Sequence, residues 1–457
     1  MSAANDADEL FWRAYCHVIK NQVGDIDGEN AIFYSTKAQR GPPGGGGIHE
    51  AYTNTGLFDI GDNLLQADNL FYTPSNQNSY INSLLAYLNY VDLEGNPDDA
   101  DLQRVKTTSE NENAARVKLN TEFSRAFKDW EEELKEGNTD DKFIRWVVNA
   151  PVYVVARNAY ESASDLARQA LIQTYGAQAS QITTNQNKIN QALNADGGSS
   201  RPGLIMPCTS LRPESVREVL NAHNQGSTVS APRAIFYRPL YLCPGYASTV
   251  KSWQGRGGST AQRQEFKLTL EQGHDVTDDE FGQDSVDGEM SFGFVPCISF
   301  GTGGQEGSEE DSLDIDAEPG SIEVVMFYDD IKTVPIRPGH WDIGNEMNSY
   351  KLKADAPKEV RTLARPSQVV LVRNLGYKVK LGGNLASVFD DKVSESNGDV
   401  RIFGVPVKID GDKSESTESN SHVGRWDSAT GELTVEPCSD AGFATVIAII
   451  GEKIGTT

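Results

Sequence analysis

The pattern of hydrophobic and polar positions divides the chain into a helical middle and a strand-rich C-terminal half. Between residues 80 and 194, apolar residues recur at intervals of three and four, which is the period of one helix face. Phe123, Phe127 and Trp130 form one such stripe. After residue 203 the apolar runs shorten and are separated by Gly, Pro, Asp and Ser, which is typical of strands and turns. The pattern predicts an α+β protein.

Two long helices are predicted in the middle of the chain, at 100–136 and 139–194, with a turn at Gly137 and Asn138. Pro151 lacks an amide hydrogen and is predicted to kink the second helix. Helices of about forty residues are roughly 60 Å long. Because the turn between them is tight, we expect an antiparallel helical hairpin.

The C-terminal half is predicted to form a mostly antiparallel β sandwich or barrel. A short helix is expected at 213–223, and two acidic insertions, at 275–289 and 301–318, are expected to be loops. The predicted strands are 234–242, 266–270, 291–300, 322–328, 331–336, 368–373, 377–381, 400–409, 433–435 and 443–450.

The first 79 residues show no sustained periodicity. Apart from a short helix at 9–22 and a strand at 31–35, they are expected to be irregular and to pack on the helices. A chain of 457 residues is long enough for two or three domains. The predicted divisions are an irregular N-terminal region at 1–79, a helical hairpin domain at 80–196, and a β-rich domain with acidic loop insertions at 203–457.

The charge and the cysteine content indicate which partners the protein can bind and in which cellular compartment it is found. The chain carries 41 basic and 66 acidic residues, a net charge of −25, which opposes binding to nucleic acid. Its five cysteines are scattered and form no CxxC pair, so neither a disulfide framework nor a structural zinc site is expected. The first residues lack the features of a secretory signal, and no apolar run approaches the roughly 20 residues of a membrane span. We expect a cytoplasmic protein, or one released without a classical signal peptide.

One local pattern could carry metal chemistry. His340 and Asp342 are spaced so that, on a strand, both side chains would lie on one face. With His422 they could form the two-histidine, one-carboxylate iron site of non-haem oxygenases, and Arg425 could bind an acidic co-substrate. The alternative interpretation is a surface turn at 337–342 with Trp341 packed inward.

The most apolar helical stretch is 143–156. It could be an exposed contact surface, for a second copy of the chain, another protein or a membrane, or it could be a buried helix packed on the β half. The residues assigned to this candidate interface are Phe143, Ile144, Trp146, Val147, Val148, Val152 and Val155.

In outline, a helical rod beside a β domain resembles the two-part plan of α-helical pore-forming toxins. This resemblance concerns architecture alone and implies a membrane-active protein as one form of association. The leading hypothesis is therefore a non-enzymatic association protein, with itself as the first expected partner, without a catalytic residue or a cofactor. The alternative hypothesis is an iron-dependent oxygenase that uses His340, Asp342 and His422.

Overall fold

A computed structural model gives the fold and confirms the α+β class, since helices and antiparallel strands both contribute. The predicted helix at 213–223 and most of both acidic insertions lie outside the residues that the structure describes. The described residues are 3–24, 31–45, 47–66, 79–93, 97–141, 143–193, 202–211, 219, 232, 234–254, 263–276, 281, 295–300, 311–313, 315, 321–410, 422–437 and 442–454.

The N-terminal region consists largely of regular elements. Helix α1 spans Ala3–Val23, strand β1 spans Ala31–Arg40 and helix α2 spans Glu50–Gly61. Phe11 and Trp12 of α1 are buried in the core beneath the sheets. The helix expected at 9–22 and the strand expected at 31–35 coincide with parts of α1 and β1, whereas α2 was not predicted. Strand β1 is longer than expected because it pairs with the last strand of the chain, and a partner so distant in sequence leaves no local periodic signal.

The middle of the chain contains five helices among its described residues. Gly137, with φ of 75°, ends the longest of them in the left-handed conformation that glycine adopts without strain. The predicted second helix is divided because Pro151 occupies a first helical turn, where its missing amide has no cost, and because Gly176 begins a 3₁₀ turn. The helices are α3 (Tyr80–Asn89), α4 (Asp99–Glu136), α5 (Phe143–Val147), α6 (Pro151–Tyr175) and α7 (Ala179–Leu193).

Helices α4 and α6 pack side by side along most of α6. Near the start of α6, Tyr153 meets Phe123 with ring centroids 5.7 Å apart. Near its end, Thr174 accepts a hydrogen bond of 3.4 Å from Arg104. The residue numbers rise along one helix as they fall along the other, so the two helices run in opposite directions.

The C-terminal half contributes most of the strands. These are β2 (Leu65–Gln66), β3 (Ile205–Cys208), β4 (Phe236–Pro239), β5 (Tyr241–Leu242), β6 (Gln264–Leu268), β7 (Ile298–Phe300), β8 (Asp311–Ser312), β9 (Ile322–Tyr328), β10 (Asp330–Pro335), β11 (Arg337–Pro338), β12 (Leu363–Arg373), β13 (Gly376–Leu381), β14 (Asp399–Ile402), β15 (Val405–Ile409), β16 (His422–Asp427), β17 (Glu432–Glu436) and β18 (Thr445–Lys453). Between them lie α8 (Tyr246–Gln254), α9 (Leu270–Asp275), α10 (Lys358–Arg361) and α11 (Gly383–Glu395).

Two sheets dominate the described residues. The larger has nine strands in the order β6-β9-β13-β17-β16-β15-β14-β7-β8, and the smaller follows β1-β18-β12-β10, with β2 beside β12. Their strand pairs are antiparallel except β15 with β16. The predicted strand at 400–409 is two strands, because Phe403 and Gly404, with φ of 48° and 74°, form a tight turn between β14 and β15.

The buried apolar residues form two clusters. One includes α1 and both sheets, and the other joins α3 to α7 with β3, β4 and the segment around Trp341. The helical middle therefore has a core of its own. Trp341, Tyr80 and Tyr241 are in ring contact in that second cluster.

Candidate functional site

The carboxylate of Asp342 is bound by hydrogen bonds and an ion pair from other residues of the chain. Its Oδ1 accepts hydrogen bonds from the Tyr80 hydroxyl at 2.8 Å and the Gly344 amide at 3.1 Å, and its Oδ2 pairs with the Arg365 guanidinium. Arg365 also pairs with Glu452 at 3.0 Å. These contacts connect α3 with the central strands β12 and β18, so the local role of Asp342 is to anchor the helical middle to the sheet.

The structure does not bring His340, Asp342 and His422 together as a metal site. His340 is exposed, and its backbone amide donates to the carbonyl of Gly203 at 2.8 Å. His422 is buried in β16, with 7% of its surface exposed. Among the described residues, which include all three, no group of His, Cys, Asp and Glu side chains is placed to hold a metal ion. The predicted turn with Trp341 packed inward fits what is observed, because Trp341 is fully buried.

His422 has an unusual environment for a buried imidazole. Neither of its ring nitrogens has a hydrogen-bond partner in the described part of the chain. Burial and, to a smaller extent, the nearby positive charge of Arg40 lower the pKa of His422 to about 4. The Leu375 backbone favours the charged ring slightly, although it lacks the geometry of a hydrogen bond. The ring is therefore held neutral at physiological pH.

Two of the predicted interface residues belong to the chain's own core. Phe143 and Val147 are fully buried. The Phe143 ring lies against Phe127 and Trp130 of α4, with centroids 4.9 Å and 5.6 Å apart. Because they are inaccessible, Phe143 and Val147 cannot form the surface that meets a partner, and their assignment to an interface is corrected here.

The other predicted interface residues differ in exposure. Trp146 is half-buried and donates a 2.8 Å hydrogen bond from Nε1 to Glu133, and Val148 is half-buried. The side chain of Ile144 lies outside the described set. Val152 and Val155 are exposed, at 46% and 64% of their surface. Among the predicted interface residues whose side chains the structure describes, these last two present large exposed apolar groups to solvent.

Val152 and Val155 begin a longer exposed row on α6, which we name the α6 outer face. Leu166 of this row is 58% exposed, and all members are exposed. Their spacing alternates between three and four residues, which places side chains in one narrow stripe along a helix. The α6 outer face consists of Val152, Val155, Ala159, Ser162, Leu166 and Gln169.

The charged residues of α6 lie away from this stripe. At 3.6 residues per turn, each lies about a quarter-turn or more from the centre of the outer face. They pair with one another along the helix, Arg157 with Glu161 at 3.8 Å and Arg168 with Asp165 at 2.7 Å. The outer face is therefore uncharged, with four apolar residues and the polar residues Ser162 and Gln169, in a chain whose net charge is −25.

Four members of this face, Ala159, Ser162, Leu166 and Gln169, were not among the predicted interface residues. A signal for them exists in the sequence, because the alternating spacing coincides with the absence of charge on one side of the helix. The sequence alone does not show that this stripe is exposed to solvent. The N-terminal region was expected to pack on the helices, but its elements α1 and β1 pack in the core with the sheets. The α6 outer face is therefore left exposed.

Two further observations concern the length of the apolar helices and the state of the cysteines. Within the residues that the structure describes, no helix is both long enough and apolar enough to cross a bilayer. Cys208, Cys243 and Cys297 are buried free thiols, Cys16 is also buried, and Cys438 lies outside the described residues. Burial raises the pKa of Cys208 and Cys243 to about 12, so these two thiols are unreactive at neutral pH.

No protein-family model matches the chain, and no characterised protein or solved structure matches it significantly.

Proposed function

We propose that this protein works by association, without enzymatic chemistry of its own, and that the α6 outer face is its contact surface. The observation that carries the proposal is the exposure of Val152, Val155 and Leu166 in one uncharged stripe. Exposed apolar groups in a contiguous row are typical of interaction surfaces, whereas single exposed apolar residues are not.

The proposal treats α4 and α6 as the two arms of a helical hairpin that presents this face. The contact of Phe123 with Tyr153 supports it, because it packs α6 against α4, and the contact of Phe127 with Phe143 packs the preceding helix α5 on α4 as well. The β-rich half, proposed to be a curled sheet of barrel or sandwich type, serves as the body from which the hairpin extends. A rigid scaffold lowers the entropic cost of ordering a contact surface.

The expected association is weak and depends on concentration. Six side chains on one helix supply only part of the roughly 800 Å² that each partner contributes to a standard interface. The net charge of −25 opposes contact between copies at long range. Added salt screens this repulsion beyond about 8 Å at physiological ionic strength, so association should strengthen as salt rises.

Static light scattering over a series of protein and salt concentrations tests the proposal. We expect the average mass to rise above that of one chain, and Leu166→Glu to return it to the monomer, because the glutamate puts a charge within an apolar contact. Val117→Glu is the matched control. Val117 is also 58% exposed, but it lies on α4. The proposal fails if the wild-type protein has the monomer mass under every condition, or if both variants change the mass equally.

A further inference from the structure

The pattern of the α6 outer face also indicates what covers it. From the geometry of this face, and on the basis of the proposed function, we infer that its partner is the α6 outer face of a second copy of this chain, with the two helices antiparallel. Each copy carries a charge of −25, so contact between two copies through an uncharged surface avoids bringing further like charges together. The α6 outer face is such a surface on both copies.

The spacing of the stripe suits a second helix. Side chains that alternate at three and four residues form the seam of a two-helix contact, in which each residue inserts between residues of the facing helix. In an antiparallel pair centred between Ala159 and Ser162, these two small residues face each other across the two-fold axis. Val155 of each copy then faces Leu166 of the other. Small residues at the centre allow the helices to approach closely, and larger apolar groups close the contact on both sides.

The ends of α6 decide the direction of the pair. The first turn of α6 contains no acidic residue and Ala150 provides no side-chain cap, while the last turn contains no basic residue. The partial charges at both helix ends are thus not compensated by side chains of α6 itself, and Arg104 of α4, which contacts Thr174 in the last turn, is already paired with Asp101 at 2.6 Å. An antiparallel second copy places the negative end of one α6 beside the positive end of the other. A parallel copy would place like ends together.

Cysteine cross-linking distinguishes the two directions. Along one helix, Val155 and Leu166 are separated by eleven residues, or about 16 Å. A disulfide requires Cα atoms within roughly 7 Å of each other. We therefore prepare Val155→Cys and Leu166→Cys separately, and oxidise each variant alone and in an equal mixture. Wild-type protein is oxidised in parallel, to subtract any linkage through its own cysteines.

The inference predicts that the mixture forms at least about tenfold more linked dimer than either variant alone, because only the mixture places the two thiols within disulfide range. Stronger linkage within the single variants would show a parallel pair and overturn the inference, although association through this face would stand. A dimer mass in light scattering without linkage in any sample would overturn it as well. If the wild-type protein remains monomeric in light scattering, the proposed function itself is contradicted. The failure of the inference and the failure of the proposed function are therefore distinguishable.

Discussion

Replacing His422 with leucine tests whether a neutral, unpartnered imidazole limits the acid stability of this fold. The ring is 7% exposed and neither nitrogen has a hydrogen-bond partner within the described residues. An apolar side chain of similar size therefore removes no hydrogen bond from the folded state. Because neither ring nitrogen has a hydrogen-bond partner to lose, such a replacement is close to neutral or stabilising.

The magnitude follows from the pKa of His422, which is about 4 in the folded protein against an ordinary value of 6.5. As the pH falls below 6.5, the unfolded chain takes up a proton at this residue while the folded chain does not. Stability is therefore fully present above 6.5 and is lost as the pH falls through about 4. At 1.36 kcal/mol per pH unit, the full loss is roughly 3 kcal/mol.

Urea unfolding followed by tryptophan fluorescence, at fixed ionic strength between pH 7.5 and pH 4, measures the effect. The difference between wild type and His422→Leu cancels the titration of the many acidic residues that both share. We expect His422→Leu to gain about 3 kcal/mol relative to wild type across this range, with most of the gain below pH 6. A difference that stays constant with pH to within about 0.5 kcal/mol would refute the reasoning.

Arg40→Met provides a second variant for the same measurement. Burial is the larger cause of the low pKa of His422 and the charge of Arg40 the smaller. Removing the guanidinium should therefore reduce the acid-induced loss of stability without abolishing it. Only the pH-dependent part is compared, because Arg40 also stacks over the Phe443 ring, 4.8 Å from its centroid.

Two further substitutions have defined outcomes. Phe143→Ala removes a fully buried ring between Phe127 and Trp130, so it should lower the unfolding free energy by about 3–5 kcal/mol in urea titrations. A loss below 1 kcal/mol would contradict its assignment to the core. Burial raises the pKa of Asp62 to about 6, so its stabilising contribution is lost as the pH rises from its ordinary value of 3.8 through 6. Asp62→Asn should therefore be up to about 3 kcal/mol more stable than wild type at pH 7.5, with no such gain near pH 4, and equal stability at both would refute this.

Local signals in the sequence determined the helical middle and several strands. The end of α4 at Gly137 follows from the unique conformational freedom of glycine, and the predicted strand 322–328 coincides with β9. Elements of this kind are set by interactions within a few residues, so their causes are visible in a short stretch of chain.

Other features depended on pairing over long distances in the chain. Strand β1 extends beyond the predicted residues 31–35 because β18 lies beside it, and Asp342 is an anchor because Arg365 and Tyr80 surround it. A carboxylate two residues after a histidine has the same sequence whether it binds a metal or an arginine. Only its neighbours in space distinguish the two.

The candidate contact surface shows the same division most clearly. The sequence determined that the stretch 143–156 is apolar and mostly helical, because composition and spacing are local properties. The tertiary structure alone decided that Phe143 faces α4 while Val155 faces solvent. Hydrophobicity belongs to a side chain, whereas accessibility belongs to everything packed around it, and α4 covers one side of this segment and not the other.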